Sequence, residues 1–295
     1  MSCTSPMDLS IIITSRNTRE LLSRCVSRVY QTLKNADFSF EIIVADNAST
    51  DGSRSMLQKK FNTVVLIANK TNVGFGKANN QGIRKSKGEY IVLLNSDTEV
   101  LPHAVQKLLS FSRSHRNCFV GPKLVNPDGS AQTSCGPFFT IPVIFAILFL
   151  KGDIFGVTRW SPNSTKKVDW VSGACLIAPK KVFLDGLLFD EDIFMYMDEI
   201  DLLYRARKKG YAAYFYPEST VVHLGSGSSI DKRKGPILNI FRGFQLFYRK
   251  HFPGWRLLVL RGMLQCKAFL GIFIGYMTGN RELQTTYEEA SRLVH

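Results

Sequence analysis

The sequence predicts an α/β fold on a mainly parallel central sheet, and three observations carry that prediction. Four short apolar runs, residues 9–14, 40–45, 64–68 and 90–94, have the length and composition of strands buried on both faces. Helical patterns separate them, the signature of βαβ units with right-handed crossovers. The fourth run ends in Asn95, Ser96 and Asp97, followed by Glu99, so polar residues gather where open α/β sheets bind ligands, beyond the carboxyl ends of their strands. A lone acid there can hold a divalent cation, and the cation a diphosphate.

After the first run, Asn17 and Glu20 are spaced as a capping-box-like pair ahead of Leu21, Leu22, Cys25, Val26 and Val29, which are apolar at helical intervals. Residues 53–61 and 77–86 form the next two predicted helices. From about Gly121 the alternation stops, and Asn126-Pro127-Asp128-Gly129 is a strong turn signal. Residues 137–150 are almost wholly apolar, yet shorter than the roughly 20 residues of a spanning helix and interrupted by Pro142. A buried helix or an oligomer interface is the plain alternative for them. Residues 168–178 read as a further buried strand and 198–209 as a helix closed by Gly210. Residues 257–277 are apolar but carry Arg261, Lys267 and several glycines, a composition better suited to lying on a bilayer than to spanning one.

With 295 residues, 21% charged and 45% hydrophobic, the chain is neither disordered nor polytopic. Its net charge of +14 would attract phosphorylated substrates, anionic lipid or nucleic acid. The basic residues are dispersed, and no zinc-finger, basic-zipper or RNA-binding signature is present, so no nucleic-acid partner is expected. Cys3, Cys25, Cys118, Cys135, Cys175 and Cys266 are scattered without a C-x-x-C pair, which favours free thiols in a reducing cytoplasm. The opening MSCTSPMDLS has no basic region followed by an apolar core, so no signal peptide is expected.

Five constellations invite chemistry. Asp46-Asn47-Ala48-Ser49-Thr50-Asp51-Gly52 follows the second strand and is equally a turn with a helix cap or a loop presenting a carboxylate to a base or ribose. Asn72-Val73-Gly74-Phe75-Gly76, with Asn79, Asn80 and Gly82 beyond it, permits close backbone approach to a phosphate or ribose, or forms a plain left-handed turn. Its spacing is not that of a P-loop. Asp198, Glu199 and Asp201 place three acids in four positions; they complement a helix dipole, and their mutual repulsion would raise at least one pKa, which suits a general base. His223 ends an apolar strand and opens a Gly/Ser loop, where a neutral imidazole can complete a metal site with Asp97 or serve as a structural hydrogen-bonder. Arg242, Arg249, Lys250 and His251 with Phe244, Phe247, Tyr248 and Phe252 form a basic-aromatic band, either a solvated helix face or a grip on a diphosphate or membrane.

Taken in order, these segments resemble a family 2 glycosyltransferase of the GT-A fold, on the branch of bacterial rhamnosyltransferases. The resemblance runs from about Leu9 to about Phe252. It rests on Asn17 after the first strand, DNASTDGS (46–53), NVGFGKANNQG (72–82), LLNSDTEV (93–100), VGPKL (120–124), VSGACLIAP (171–179), MYMDEIDL (195–202) and HLGSGSS (223–229). Each is weak alone; their order is what counts.

The resemblance implies a Rossmann-like nucleotide-sugar-binding fold with a helical C-terminal extension. Residues 1–232 would be the transferase domain, its donor half about 1–120 and its acceptor and catalytic half about 121–232. Residues 233–295 would be a basic-apolar helical region at a membrane or interface. Asp97 would hold Mg²⁺ or Mn²⁺ with His223, since Asn95 replaces the first acid of the family's D-x-D-like motif. Glu199 is the expected base, with Asp198 in play because the usual acid order is reversed. Thr14, Asn17, Asp46 (near the nucleobase), Asn47, Asn72, Gly74, Asn79, Asn95, Trp170, Gly173, Asp201 and Arg249 are the implied substrate-binding residues, Asp201 with an orienting or capping role. The implied reaction is inverting transfer from a nucleotide-diphosphate sugar, first of all deoxythymidine diphosphate-rhamnose, to a lipid-linked or glycan acceptor in cell-envelope or O-antigen synthesis. Such a protein would sit in the cytoplasm, peripheral on the anionic inner face of the bacterial membrane, and a homo-oligomer is compatible with it. The rival readings are a sugar nucleotidyltransferase, which would show a basic glycine-rich loop where Thr14-Ser15-Arg16-Asn17 stands, and a non-catalytic membrane-associated nucleotide-sugar binder.

Overall fold

Strict apolar runs become strands that feed two cores. In a computed structural model, which describes residues 7–225 and 234–294, the first half alternates strand and helix: β1 (Leu9–Ser15), α1 (Arg19–Leu33), β2 (Phe40–Asp46), α2 (Ser53–Lys60), β3 (Val65–Ala68), α3 (Phe75–Lys85) and β4 (Tyr90–Asn95). Along β1, Ile12 enters the core on one face of the sheet while Leu9, Ile11 and Ile13 enter the core on the other. This is the period-two geometry of a strand covered on both sides. The four strands pair in parallel in the order β3-β2-β1-β4.

The second half departs from alternation, as expected. It contains β5 (Thr98–Val100), α4 (Ala104–Ser114), β6 (Cys118–Val125), β7 (Ala131–Gln132), β8 (Cys135–Gly136), α5 (Ile141–Phe149), β9 (Lys166–Val168), β10 (Trp170–Val171), β11 (Cys175–Pro179), α6 (Lys180–Leu184), α7 (Asp198–Lys208) and β12 (Ala212–His223). β11 inserts antiparallel between β4 and β6, β12 runs parallel to β6, and β5 closes the edge antiparallel to β12. The sheet is therefore mixed and mostly parallel. The single strand predicted over 168–178 is broken into the end of β9, all of β10 and most of β11. Asp169, between β9 and β10, accepts from the Phe138 amide at 2.9 Å, and the Ser172 amide, between β10 and β11, donates to the Ser134 carbonyl at 2.8 Å, so bonds to the 134–138 segment hold both breaks.

Pro142 does not interrupt the apolar 137–150 segment. It sits in the first turn of α5, where a missing N–H leaves no bond unmade. The chain ends in α8 (Lys234–His251), α9 (Trp255–Met277) and α10 (Arg281–Arg292). Phe241, Phe244 and Phe247 of α8 are buried in the same core as Ile12 and Leu93. Cys25, Cys118, Cys135 and Cys175 are buried free thiols and Cys266 is an exposed one; Cys3 lies outside the described residues.

Candidate active site

The parallel register sets the site. Thr14 pairs with Asn95 and Ser15 with Asp46, so the carboxyl ends of β1, β2 and β4 finish level at one edge of the sheet. A cleft of about 560 Å³ opens there, and Thr14, Asn47, Asn72, Asn95, Asp97, Gly173, Asp198, Glu199 and His223 all line it. Segments as distant in sequence as the first strand and the last thus meet at one cavity.

Asp97 and His223 come together because His223 pairs with Thr98 across β12 and β5, and the Leu224 amide donates to the Asp97 carbonyl at 2.9 Å. His223 Nε2 lies 3.4 Å from Asp97 Oδ1. The far side of the ring is held by Gln132. The continuation of the HLGSGSS motif, 226–229, lies outside the described residues.

The three acids of α7 divide between two faces. Asp198 and Glu199 face the cleft. Burial first, and then the charge of Glu199 beside it, pushes the Asp198 carboxyl well above the usual carboxylate range. Its Oδ2 is buried without a hydrogen-bond partner. Asp201 points away from the cleft, fully buried, and accepts from His251 Nε2 at 2.6 Å and Arg205 Nε at 2.7 Å. Burial opposes its ionisation, but those two donors outweigh it and hold the carboxyl below the ordinary value. Asp201 thus pins α7 to α8 and is no cleft-lining residue. Ahead of the acids, Tyr196 (φ 63°) and Met197 (φ 70°) are both left-handed, a conformation few non-glycine residues adopt. Gly243 of α8 leaves room for Met197, since a Cβ there would stand 2.9 Å from Met197 Cγ.

Several expected residues serve the frame and lie outside the cleft lining. Asn17 (φ 50°) does not cap α1; its Oδ1 accepts from the Thr50 amide at 2.8 Å and its amide donates to Ser49 Oγ at 2.9 Å, tying the β1 and β2 loops together. Asp46 is fully buried; its Oδ2 accepts from Arg54 Nε at 2.5 Å, while its Oδ1 is buried without a hydrogen-bond partner. The close approach at Gly74 (φ 88°) is to protein: a Cβ there would meet the Phe194 carbonyl at 2.8 Å, and the Phe75 amide donates to that carbonyl at 3.1 Å. Asn79 turns back onto the Phe75 carbonyl at 3.1 Å, while Asn80 reaches Phe189. Trp170 is core, its Nε1 donating to the Pro137 carbonyl at 2.8 Å. Arg249 is exposed on α8, away from the cleft.

The cleft also contains residues that no motif announced. Arg16 follows β1; Asp153 and Arg159 come from the segment after α5; Asn239 comes from α8, which also brings Phe244 to the wall. Arg159 stacks over the Trp170 ring with its Cζ 5.3 Å from the centroid, and its Nε is buried without a hydrogen-bond partner. Phe244 stood in the basic-aromatic band, the one sequence signal for this wall.

Among the described residues no three His, Cys, Asp or Glu side chains cluster for a metal. Asp97 and His223 offer two donors, a carboxylate oxygen and an imidazole nitrogen, a pair whose chemistry fits a divalent cation. Asn95 Oδ1, lining the same cleft and buried without a partner, is the kind of orphan that a bound ligand satisfies.

The parallel half-sheet, the antiparallel insertion and the cleft at the strand ends define a GT-A glycosyltransferase fold. Solved structures agree at the level of fold. A mannosyltransferase from Pyrobaculum calidifontis in complex with GDP-Man and Mn²⁺ matches with a TM-score of 0.57 at 15% identity, over 98% of this chain and 87% of that one. GalNAc-T7 with UDP, GalNAc and Mn²⁺ matches with a TM-score of 0.57 at 17% identity, over 83% of this chain and 50% of that one. The model of glycosyl transferase family 2 matches residues 10–139. An N-acetylglucosaminyl-diphospho-decaprenol L-rhamnosyltransferase of Mycobacterium tuberculosis is 27% identical over 246 residues, 76% of this chain and 79% of that protein. A low-salt glycan biosynthesis hexosyltransferase of Haloferax volcanii is 27% identical over 206 residues, 68% of this chain and 62% of that protein. Residues 10–139 thus carry a family 2 glycosyltransferase domain, the comparisons indicate a glycosyltransferase enzyme, and over most of its length the chain is similar to a rhamnosyltransferase; they give no support to the nucleotidyltransferase or non-catalytic readings.

Proposed function

We propose that residues 1–232 form an inverting transferase that moves a sugar, L-rhamnose by first choice, from a nucleotide-diphosphate donor to a lipid-linked or glycan acceptor of the bacterial cell envelope. The observation that carries the reading is one cleft holding both the Asp97–His223 pair, 3.4 Å apart, and the Asp198–Glu199 pair. Thr14, Asn47, Asn72 and Asn95 line the donor side at the strand ends. Asp97 and His223 would hold Mg²⁺ or Mn²⁺, and the cation would supply positive charge to offset what builds on the departing nucleoside diphosphate.

The acid pair divides its work by environment. Asp198, buried and raised, holds its proton to higher pH than an ordinary carboxyl. Glu199 is the half-buried member and reaches acceptor more openly. It takes the proton from an acceptor hydroxyl; that oxygen bonds to the anomeric carbon from the face opposite the phosphate. The carbon–oxygen bond to the diphosphate breaks, its electron pair leaves with the nucleotide, and the configuration inverts.

The name of the mycobacterial relative supports a lipid-diphosphate acceptor, and the basic, apolar region 233–295 supports a peripheral position on the inner face of the membrane. The test is a transfer assay over deoxythymidine-, uridine- and guanosine-diphosphate sugars with a short-chain lipid-diphosphate acceptor and Mn²⁺ or Mg²⁺. Product of inverted anomeric configuration from one donor is expected. Retained configuration, or hydrolysis without transfer, would overturn the mechanism.

A further inference from the structure

Most exposed apolar surface in this molecule is gathered in two adjoining segments. Among the described residues, the exposed large apolar side chains outside 145–157 and 255–277 are Leu101, Leu184 and Phe194. On α9 they form a stripe. Trp255, Val259, Phe269, Leu270, Phe273 and Met277 recur at helical spacing, with Phe273 60% and Trp255 66% exposed. No charged residue interrupts the stripe, and Arg256 and Lys267 flank it. Ile154, Phe155 and Val157, 61–76% exposed, follow directly on α5. α5 is tied to α9 by Lys267, whose Nζ donates to the Leu148 carbonyl at 2.7 Å.

The charge around the stripe selects its occupant. From 234 to 277 the sequence has seven lysines and arginines and no aspartate or glutamate. The charged residues of α9 itself, Arg256, Arg261 and Lys267, are all cationic, so this apolar helix is complementary to anionic lipid head groups.

The opposite face of α9 decides between lying on and crossing a bilayer. Leu260, Leu264, Ala268, Gly271 and Gly275 are buried against protein. A Cβ at Gly271 would stand 2.2 Å from the Tyr287 ring, and one at Gly275 would stand 2.7 Å from the Gln284 backbone, so α10 packs directly on α9. α10 carries Arg281, Glu282, Glu288, Glu289 and Arg292, which hydrocarbon rejects.

We propose that the α9 stripe together with residues 154–157 is a monotopic docking face for an anionic bilayer, with α9, roughly 35 Å long, lying in the membrane plane. The inference rests on the membrane-associated reading above and names the surface that makes the contact. It carries a consequence for access. Ile147 of α5, and Asp153 and Arg159 on either side of the 154–157 patch, line the cleft, so the segment that carries this part of the docking face also walls the active site. A lipid-linked acceptor then meets the base without leaving the surface.

The experiment is co-sedimentation of the full-length protein with vesicles of phosphatidylcholine alone, or of equal parts phosphatidylcholine and phosphatidylglycerol. The Phe269→Asp/Phe273→Asp variant runs alongside, with sedimentation velocity and transfer to a water-soluble acceptor as companions. Binding is expected to need phosphatidylglycerol, to weaken at high salt, and to fall at least about tenfold in the variant. Soluble-acceptor transfer and thermal unfolding should not change, and alkaline carbonate should strip the bound protein. Binding unaffected by the variant, resistance to carbonate, or a dimer that the variant dissociates without any vesicle binding would each overturn the proposal. Vesicle binding involves no catalysis, so its failure leaves the transferase reading standing.

Discussion

Gln132 holds His223 from two sides: its Oε1 stands 3.0 Å from His223 Nδ1, and its Nε2 donates at 2.6 Å to the His223 carbonyl. Nε2 also donates to Asn126 Oδ1 at 2.6 Å, so the amide has one orientation and its oxygen must be the acceptor for Nδ1–H. The ring nitrogen turned to Asp97 is therefore Nε2. Such an outer contact fixes both tautomer and aim.

Gln132→Leu should weaken Mn²⁺ binding in the presence of nucleoside diphosphate by roughly ten- to a hundredfold. Electron paramagnetic resonance of free Mn²⁺ reads this without any turnover. Unchanged affinity would mean that the imidazole's orientation does not matter to the ion.

Asp97→Ala should abolish the metal-dependent thermal shift given by the correct nucleotide-sugar. In the wild type, donor at a hundred times its dissociation constant stabilises by about 2.7 kcal/mol. A variant that keeps the shift would place the diphosphate elsewhere in the cleft.

Glu199→Gln should lower kcat by roughly 10²- to 10⁴-fold and leave the donor's KM nearly unchanged, because the amide keeps the shape but cannot take a proton. Steady-state kinetics of both acid variants compares the pair. If Asp198→Asn loses kcat to that extent and Glu199→Gln does not, the base is Asp198.

Asp198 also gives the fold a pH signature. Its folded pKa is raised, so between the ordinary value, about 4, and the raised one the folded state holds a proton that the unfolded state has lost. Stability from this group is fully present below that window and declines as pH rises through it. Asp198→Asn removes the decline, so the melting temperature of the variant relative to wild type should increase with pH. A difference that stays flat from acid to neutral pH would contradict the burial assigned to this carboxyl.

The parallel half of the fold was legible because its signals are local. The runs at 9–14 and 90–94 declare two-sided burial by composition alone, and β1 and β4 follow them to within a residue. What sequence could not rank was the partner each polar residue would choose. Asn17 was spaced for a cap but bonds the neighbouring loop 33 positions away. Asp201 shares a run with Asp198 and Glu199 yet faces His251, 50 positions on, because a helix turns by 100° per residue and only one side meets the cleft. Trp170 satisfies its indole on Pro137, and Asp46 gives one carboxylate oxygen to Arg54. Arg159 and Asn239 went unseen because long-range packing, and no motif, brings them to the cleft.

The left-handed Tyr196 and Met197 ahead of Asp198 have a consequence for how this sequence can drift. Each such residue costs of the order of 1–3 kcal/mol, and glycine or asparagine would accept the same backbone with less strain. Selection for thermal endurance alone would therefore favour those replacements. Glycine at 197 would also empty the space kept for that side chain by Gly243, loosening the turn that aims the acids. Directed evolution for heat tolerance and directed evolution for turnover should pull positions 196 and 197 in opposite directions.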